Sequence, residues 1–348
     1  MAERLRIAQV APVAAPVTGD STRSIEQLVW LLTEELVRRG HAVTLFATGD
    51  SRTSADLHAV YPRGYADDQD LWNWRLHETL HAVSAFERAN DFDVIHSHVY
   101  YFALPFTRLT TTAAVHTHHI LPNEDVVRAY ARYPEANVVA LSHYHRTVFQ
   151  GLPGVTVIPN GIDTSAFPFN PARGDYLLFL GRMIPEKGPV EAIRVARKVG
   201  MRLILAGPRD DDYFEAEVAP LLDGRQVEYV GPVHVAARNT LLAGAAALLY
   251  PLADPEPFGL VTVEAMACGT PVAALGRGAV PEIVENGVTG YHTSDVDQLA
   301  DRIPAAVALD RARVRQRAVD RFDYRRMVDD YLVLYRRLAA RRLAGCAR

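Results

Sequence analysis

Apolar and polar residues follow two alternating periods along the chain, and these periods predict a repeated succession of strands and helices. Leu5 to Val10 is rich in β-forming residues and ends at a proline- and glycine-containing stretch, APVAAPVTGDSTRS. Apolar residues three or four apart then run from Ser24 to Gly40, which is typical of an amphipathic helix. Ala42 to Ala47 is the next strand. This βαβ opening predicts a right-handed crossover in a parallel sheet.

The second half of the chain repeats this succession and predicts a second doubly wound parallel sheet. Its strands read YLLFLGR, MRLILAG, VEYVGPV and AALLYP, with helical patterns between them. Turn residues in PNGIDTSAF and PFNPARGDY separate the halves. The fold class is therefore α/β, with doubly wound parallel-sheet domains at residues 1–165 and 166–325 and a helical segment at 326–348.

One helix of the first half carries a less regular pattern. DLWNWRLHETLHAVSAFERA predicts a helix that has Trp74, Leu80, Val83 and Phe86 among its apolar positions. Trp72 and Trp74 are two residues apart, so both cannot face the same core. Ordinary packing is the simpler interpretation, and the alternative is that one of the two is exposed and stacks on a sugar.

The segment YPLADPEPFGLVTVEAMACGTPV joins a strand end, a proline-braced loop and the start of a helix. Prolines on both sides of Glu256 predict an extended, rigid loop there. The amides of Phe258, Gly259 and Leu260 fall in the first turn of the helix, where free N–H groups and the helix dipole attract an anion. The segment predicts an anion site.

Glu264 follows about one turn inside the same helix. Its carboxylate can accept hydrogen bonds from a ligand diol while the phosphates of that ligand lie at the amides, which suits a nucleotide. A glutamate near a helix start also has a simpler interpretation, because it complements the helix dipole. Both interpretations stay open.

Arg182 and Lys187 flank a short proline turn in GRMIPEKGP, after the first strand of the second half. The helix dipole disfavours a lysine at a helix N-terminus, so a bound anion would account for it. An arginine that grips two oxygens and a lysine that acts as a point charge together neutralise a diphosphate. The alternative is a pair of solvated charges with Glu186 as neighbour.

Histidines cluster at three strand ends, in DFDVIHSHVYY, AAVHTHHI and ALSHYHR. The carboxyl ends of parallel strands are where α/β proteins bind ligands, so a polar lining accounts for the cluster. His96 and His98 alternate on one strand face and could ligate zinc, but no nearby thiolate or H-E-x-x-H pattern supports a metal site.

Composition narrows the functional classes. Hydrophobic residues make up 49% and charged residues 22% of the 348 residues, an ordinary globular balance. The formal net charge of −4 does not indicate the excess positive charge that is typical of nucleic-acid-binding proteins. Neither a signal peptide nor an apolar run long enough for a bilayer occurs, so a cytoplasmic protein is expected. Cys268 and Cys346 are expected to be free thiols.

The run EPFGLVTVEAMACGTPVAA, with its E-x7-E spacing, resembles the signature of the retaining glycosyltransferases of family 4. The likeness extends from RIAQVAP to DYLVLYRRL and implies the GT-B fold, in which two Rossmann-like domains face a central cleft. It also implies that the last helix, at 326–348, crosses back to the first domain. It implies transfer of a sugar from a nucleotide-diphosphate sugar, with UDP as the commoner donor, to an acceptor hydroxyl with retention of configuration. No metal or other cofactor is expected. The length and start of the chain resemble transferases of antibiotic or cell-surface glycan biosynthesis.

The resemblance also implies roles for individual residues. Glu256 would contact the hydroxyls of the donor sugar and Glu264 the ribose. Arg182 and Lys187, with the amides of the key helix, would hold the diphosphate as it leaves. These are roles that the family implies for the matching positions.

Two further positions carry over from the first half of the family. His118 matches the position whose side chain approaches the donor sugar, with His116 and His119 open by a register of one or two residues. Gly19 stands where the family has a glycine-rich pair beside the diphosphate. The alternative for Gly19 is a loop glycine that requires a positive φ.

Other functions stay open at this point. A dinucleotide oxidoreductase would need a G-x-G-x-x-G run after a strand, which neither half has. A sugar-nucleotide epimerase of the same build, or a non-catalytic nucleotide-sugar-binding subunit, would share the fold. The expected partners are the nucleotide sugar and a small-molecule, glycan or lipid-linked acceptor. The arginine-rich terminal helix is either a solvated face or a peripheral membrane contact.

Overall fold

The computed structural model describes residues 4–67 and 73–346. The chain divides into two compact units. The first unit takes Met1–Gly161 together with Tyr324–Arg348, and the second unit takes Ile162–Asp323. The terminal helix therefore belongs to the first unit.

The described residues of the first unit form a seven-stranded sheet in which every neighbouring pair is parallel. The spatial order is β3-β2-β1-β4-β5-β6-β7, so the chain moves outward from β1 and then returns to its other side. This reversal lies between β1 and β4. The strands are β1 (Arg6–Val10), β2 (Ala42–Phe46), β3 (Asp56–His58), β4 (Val94–Ser97), β5 (Ala113–Thr117), β6 (Asn137–Ala140) and β7 (Val155–Val157).

The second unit contains a six-stranded parallel sheet of the same design. Its order is β10-β9-β8-β11-β12-β13, and the reversal lies between β8 and β11. The two sheets confirm the predicted α/β fold with two doubly wound parallel sheets. The strands are β8 (Tyr176–Leu180), β9 (Arg202–Ala206), β10 (Val227–Tyr229), β11 (Ala247–Tyr250), β12 (Val272–Leu275) and β13 (Gly290–Thr293).

Helices connect the strands in both units. Among residues 4–67 and 73–346, no helix combines the length and the apolar character needed to cross a bilayer. The helices are α1 (Ser24–Arg38), α2 (Trp74–Glu87), α3 (Glu124–Ala131), α4 (His143–Val148), α5 (Pro189–Val199), α6 (Asp211–Tyr213), α7 (Val235–Gly244), α8 (Leu260–Ala267), α9 (Val280–Ile283), α10 (Val296–Val307), α11 (Arg311–Phe322) and α12 (Tyr324–Cys346).

Helix α12 completes the core of the first unit. Its buried side chains Met327, Tyr331 and Tyr335 pack in one cluster with Ile7 of β1 and Leu32 of α1. An apolar stripe on a helix is stabilised by burial against a sheet, and this stripe is buried by the first sheet. The last helix is thus a structural part of the first unit.

A buried arginine ties together several segments of the second unit. Arg311 is 6% exposed, and its guanidinium donates to the carbonyl oxygens of Asn170, Ala243 and Ala245 and to Thr270 Oγ1 at 2.7–2.8 Å. Arginine has five N–H donors in a planar fork, which suits several acceptors at once. The contacts satisfy carbonyls at the end of α7 and fix the start of α11.

Candidate functional site

The carboxyl ends of β8 and β11 meet where the strand order of the second sheet reverses. These strands are neighbours in the sheet. The segment after β8 carries Arg182 and Lys187, and the loop after β11 carries Glu256. Open parallel sheets bind ligands beside this reversal, at the carboxyl ends of the strands. The topology therefore brings the predicted cations and the predicted glutamate to one edge.

Lys187 and Glu256 are in direct contact. Lys187 Nζ forms an ion pair with Glu256 Oε1, and the two side chains are 23% and 24% exposed. Tyr250, the last residue of β11, donates its hydroxyl to Glu256 Oε2. Both carboxylate oxygens thus have a partner, and the lysine is held at the switch point. The role of Tyr250 was not predicted, although a tyrosine at a strand end six residues before a glutamate is a visible signal.

The surroundings of Lys187 weaken its hold on its proton. Burial, and then the nearby charge of Arg182, lower the pKa of Lys187 to about 8, while Glu186 raises it. Contact with the Glu256 carboxylate acts in the raising direction as well, because an opposite charge favours the ammonium form. Arg182 itself is exposed. Two cations at one edge are a focus of positive potential that an anion would relieve.

Backbone contacts hold the Lys187 turn against the loop after β11. Gly188 has φ 74° and begins α5, and a Cβ on it would overlap the carbonyl oxygen of Pro251. The Glu186 carbonyl accepts from the amide of Ala253 at 2.9 Å. The left-handed φ and the close approach both require glycine here. Lys187 is therefore fixed to the Glu256 loop through the main chain.

The backbone of Glu256 is held from its other side. Its carbonyl accepts from the amide of Ala279 at 3.1 Å, and a Cβ on Gly278 would overlap its main-chain atoms. Gly278 has φ 59°. A rigid main chain at Glu256 restricts where its carboxylate can point.

Helix α8 begins with amides that are open to a ligand. Gly259 is its N-cap with φ 97° and supplies no side-chain cap. Within the described part of the chain, the amides of Phe258, Gly259 and Leu260 have no hydrogen-bond acceptor. Phe258 is buried and packs edge-to-face on Phe322 at 5.8 Å, which anchors the turn. The predicted anion-binding end has the free donors that an anion needs.

Glu264 lies within α8 with a partner that the sequence did not reveal. It is 8% exposed, and its Oε1 is 3.4 Å from Arg238 of α7. Burial raises the pKa of the Glu264 carboxyl and Arg238 lowers it. The Arg238 guanidinium thus offsets part of the cost of burying this carboxyl group. Nothing in the spacing of α7 singled out Arg238.

Gly19 lies on an exposed loop of the first unit. A Cβ on it would come within 2.9 Å of the Trp30 ring, so the close approach of that ring requires glycine. Its φ is outside the left-handed region, and the alternative that Gly19 needs a positive φ is therefore wrong.

The three candidate imidazoles at the carboxyl end of β5 have different surroundings. His118 is 0% exposed, lies 4.8–5.2 Å from the rings of Tyr130, Phe149 and Tyr100, and has no hydrogen-bond partner on either ring nitrogen. His119 is partly exposed. The accessible imidazole at this strand end is thus that of His119.

Two neighbouring imidazoles are hydrogen-bonded. The Nε2 atom of His119 lies 2.9 Å from His98 Nδ1. His116 is buried, and its Nε2 lies 2.9 Å from Thr107 Oγ1. No group of three or more His, Cys, Asp or Glu placed to hold a metal ion occurs in the ranges 4–67 and 73–346.

Two family models cover most of the chain. One described as glycosyltransferase family 4 matches residues 25–166, and one described as glycosyl transferases group 1 matches residues 164–321. The chain is 35% identical to D-inositol 3-phosphate glycosyltransferase of Mycobacterium avium (strain 104) over 184 residues, 48% of this chain and 43% of that protein. It is 34% identical to glycogen synthase of Mycobacterium tuberculosis (strain CDC 1551 / Oshkosh) over 210 residues, 55% of this chain and 50% of that protein. The chain thus spans about half the length of the curated relatives it matches.

Solved structures share the fold over nearly the whole chain. AviGT4, a glycosyltransferase involved in avilamycin A biosynthesis, has a TM-score of 0.72 at 28% identity and covers 97% of this chain and 98% of its own. Sucrose-phosphate synthase from Thermosynechococcus elongatus has a TM-score of 0.79 at 22% identity, covering 97% and 100%. The second likeness concerns the fold alone.

Proposed function

We propose, from the premise that this chain belongs to the GT-B glycosyltransferases of family 4 and group 1, that it transfers a sugar from a nucleoside diphosphate sugar to an acceptor hydroxyl. The observation that carries the proposal is the convergence of Lys187, Glu256 and the open amides of α8 beside the switch point of the second sheet. A cation pair and free amides suit a diphosphate.

Release of the diphosphate is the step that these groups would assist. Negative charge grows on the leaving phosphate as the bond to the sugar breaks, and donors already in place stabilise it without rearrangement. Lys187 and Arg182 would supply positive charge, and the amides of Phe258, Gly259 and Leu260 would supply hydrogen bonds. Protein donors in this number make a metal ion unnecessary for the step.

The two glutamates would bind the rest of the donor. A phosphate that takes over the Lys187 ammonium leaves one oxygen of Glu256 free to accept from the sugar hydroxyls, while Tyr250 keeps the other. Glu264, which pairs with Arg238, would accept from the ribose diol. Retention of configuration and a UDP donor follow from the family resemblance and are part of the proposal.

The first unit would supply the acceptor-binding residues and one imidazole. We assign the role of that imidazole to His119 and not to His118, because His118 is fully buried among aromatic rings and His119 is partly exposed. A neutral imidazole offers one nitrogen that accepts from a hydroxyl group.

Turnover of nucleotide sugars tests the proposal. The protein is incubated with a panel of UDP-, GDP-, ADP- and TDP-sugars, with and without candidate acceptors, in the presence of EDTA. Release of nucleoside diphosphate that depends on an acceptor supports the proposal. Release of a free or epimerised sugar without acceptor would identify an epimerase, and binding without turnover would identify a non-catalytic subunit.

Thermal unfolding with nucleoside diphosphates selects the base for that panel. A ligand present at 100 times its dissociation constant adds about 2.7 kcal/mol to the free energy of unfolding. UDP is expected to give the largest rise in Tm among the four diphosphates. An equal response to all four would remove the UDP assignment and leave the reaction class untouched.

A further inference from the structure

A chain of hydrogen bonds runs from His119 into the core of the first unit. Its members other than His119 are at most 2% exposed. They come from four elements or their ends, namely β1, β4, β5 and α12. In order along the chain of contacts they are His119, His98, Gln9, Tyr335, His96, Thr117 and Tyr331.

The Gln9 side chain sets the direction of the hydrogen bonds on one side. Its Oε1, which can only accept, lies 3.0 Å from His98 Nε2, so that nitrogen carries the proton. Burial holds the pKa of His98 well below its usual value, and a neutral imidazole has a single N–H. His98 Nδ1 is therefore an acceptor, and His119 Nε2, 2.9 Å away, must donate to it.

The same amide sets the direction on the other side. Gln9 Nε2, which can only donate, lies 3.1 Å from the Tyr335 hydroxyl oxygen. The single proton of that hydroxyl then goes to His96 Nδ1 at 2.6 Å. His96 Nε2 consequently donates to Thr117 Oγ1 at 2.7 Å, and Thr117 donates to Tyr331 at 2.9 Å. All hydrogen bonds of this network therefore point the same way, from donor to acceptor, beginning at His119 and ending at Tyr331.

This direction determines which nitrogen of His119 is free. Burial, reinforced by His145, lowers the pKa of His119 to about 3, so its ring is neutral near pH 7. With the proton on Nε2, the Nδ1 atom carries a lone pair. Nδ1 has no hydrogen-bond partner among the residues that the structure describes.

We infer that Gln9 and Tyr335 are positioning residues that fix His119 as its Nε2–H tautomer, so that Nδ1 accepts a hydrogen bond from a substrate hydroxyl. The inference rests on the proposed function for the identity of the substrate, but the tautomer itself follows from the contacts of the first unit alone. Neither residue touches the substrate in this account. They act through His98.

The neighbouring His118 shows that burial alone does not build such a chain. His118 is as buried as His98 and directly precedes His119 in the sequence. Neither of its ring nitrogens, however, has a hydrogen-bond partner. A buried polar group without a hydrogen bond costs stability, and a fully partnered network also selects one arrangement of protons. The network selects among the two tautomers of His119, and the packing around His118 selects neither.

Two tyrosines of α12 provide a matched test. Tyr335→Phe removes the hydroxyl that holds the Gln9 amide, so the amide can turn and His119 should show both tautomers. Tyr331→Phe removes only the last acceptor of the chain, beyond Thr117, and should leave His119 unchanged. Both side chains are fully buried, four residues apart on one helix. Their Tm values serve as the control for folding.

Nitrogen-15 spectra of the histidine rings measure the tautomer directly. His119→Gln identifies the signals of His119 among the 13 histidines. The wild type is expected to show a protonated Nε2 and an unprotonated Nδ1 for His119. Gln9→Met, on β1, should give the same mixture as Tyr335→Phe. A wild-type His119 protonated on Nδ1, or identical spectra for Tyr335→Phe and Tyr331→Phe, would overturn the inference.

Steady-state kinetics test the consequence for the reaction. Tyr335→Phe should lower kcat/KM about 3- to 10-fold, the loss expected when one hydrogen bond is available in only part of the molecules. Tyr331→Phe should stay within about twofold. A rise in the KM of the donor or of the acceptor identifies whose hydroxyl Nδ1 accepts from, and no change in either contradicts the role of Nδ1.

The two claims can fail separately. If the spectra show the expected tautomers but no nucleotide sugar is turned over, the proposed function fails and the positioning of His119 stands. If the protein is active and the wild-type tautomer is the opposite one, the positioning fails and the proposed function stands.

Discussion

The switch points of the two sheets use opposite chemistry on the same topology. Beside β8 and β11 the side chains are charged and partly exposed, with Lys187 paired to Glu256 and the amides of α8 open. Beside β1 and β4 they are neutral and buried, with Gln9 and His98 joined by a hydrogen bond of 3.0 Å. The edge of a parallel sheet therefore determines where a site lies, and the side chains at that edge determine which ligand it can bind.

Each kind of chemistry suits a different task. A phosphate group is bound by positive charge and free N–H donors, and this edge carries Arg182, Lys187 and the open amides of α8. A hydroxyl group needs a neutral acceptor with a defined lone pair, and burial keeps the histidines uncharged. Substitutions at the two sites should therefore differ in their effects on activity and stability.

Removal of the Lys187 charge should have the largest effect. Lys187→Met deletes the ammonium that would stabilise the leaving diphosphate, and loss of one such donor lowers kcat about 10²- to 10³-fold. Lys198→Met is the matched control, because Lys198 is an exposed lysine of α5 that pairs with Asp301 at 3.2 Å. Steady-state kinetics with the best donor measure both. Equal activity of the two variants would contradict the role of Lys187.

The two glycines that bracket α5 should differ in their tolerance of a methyl group. Both have a left-handed φ, 74° at Gly188 and 68° at Gly200, but only a Cβ on Gly188 would overlap the Pro251 carbonyl. Gly200→Ala should lower the free energy of unfolding by about 1–2 kcal/mol. Gly188→Ala should lower it by about 2–4 kcal/mol, because overlap adds to strain. Urea unfolding measures the difference, and equal losses would show that the Pro251 contact relaxes freely.

Substitution of His119 and His118, one at a time, should distinguish the accessible imidazole from the buried one by their effects on activity. His119→Gln should lower kcat/KM about 10- to 100-fold, the range for a hydrogen bond made in the transition state. His118→Leu fills the same aromatic surroundings without unpartnered nitrogens, so activity should persist and Tm should not fall. Loss of turnover in His118→Leu with normal Tm would return the role to His118.

The pH profile should show the smallest effect. The pKa of Lys187 is about 8, so kcat/KM for the donor should fall as pH rises through that value, by up to about tenfold over one pH unit. Lys187→Arg should move this decline to higher pH, because a guanidinium stays charged. An unchanged alkaline limb in Lys187→Arg would show that another group sets it.

The stability of the fold should rise with pH over the range in which kcat/KM falls. Burial lowers the pKa of Lys187 in the folded protein from its ordinary value of 10.5 to about 8, so the unfolded chain binds more protons between about pH 8 and 10.5. Below this pH window the buried charge of Lys187 therefore lowers the free energy of unfolding. This loss becomes smaller as the pH rises through the window. Lys187→Met should flatten the dependence of Tm on pH over this window.

Sequence patterns predicted the two sheets and brought Lys187, Glu256 and the start of α8 to one sheet edge, because these features depend on local signals. Alternating strand and helix periods specify two doubly wound sheets, and glycine and proline mark the turn before α8. Arg238 and Tyr250 were missed because their roles come from tertiary contacts with Glu264 and Glu256. The direction of the network around Gln9 was equally out of reach, since its members are up to 326 residues apart in the chain.

Helix α2 shows how a hydrophobic pattern can mislead. Leu80, one of its predicted apolar positions, is 47% exposed. Trp74 is 36% exposed, as one interpretation of the tryptophan pair allowed, and Trp72 lies outside the described residues. The helix buries Glu78 instead, whose Oε1 accepts from the Val13 amide and the Tyr65 hydroxyl at 3.1 Å each. Burial raises the pKa of Glu78 to about 7. A specific polar anchor, invisible to periodicity, decides which face of this helix is inside.

The return of α12 to the first unit has a consequence for synthesis on the ribosome. The second unit is one continuous stretch, Ile162–Asp323, whereas the first unit needs Tyr331 and Tyr335 to close its core. Translation delivers those tyrosines only after the whole of the second unit, so we expect the later-made unit to finish folding before the earlier-made one, the reverse of the usual vectorial order. Nascent chains arrested at increasing lengths should acquire protease resistance in Ile162–Asp323 first, and resistance of the amino-terminal half should follow only when α12 has left the exit tunnel.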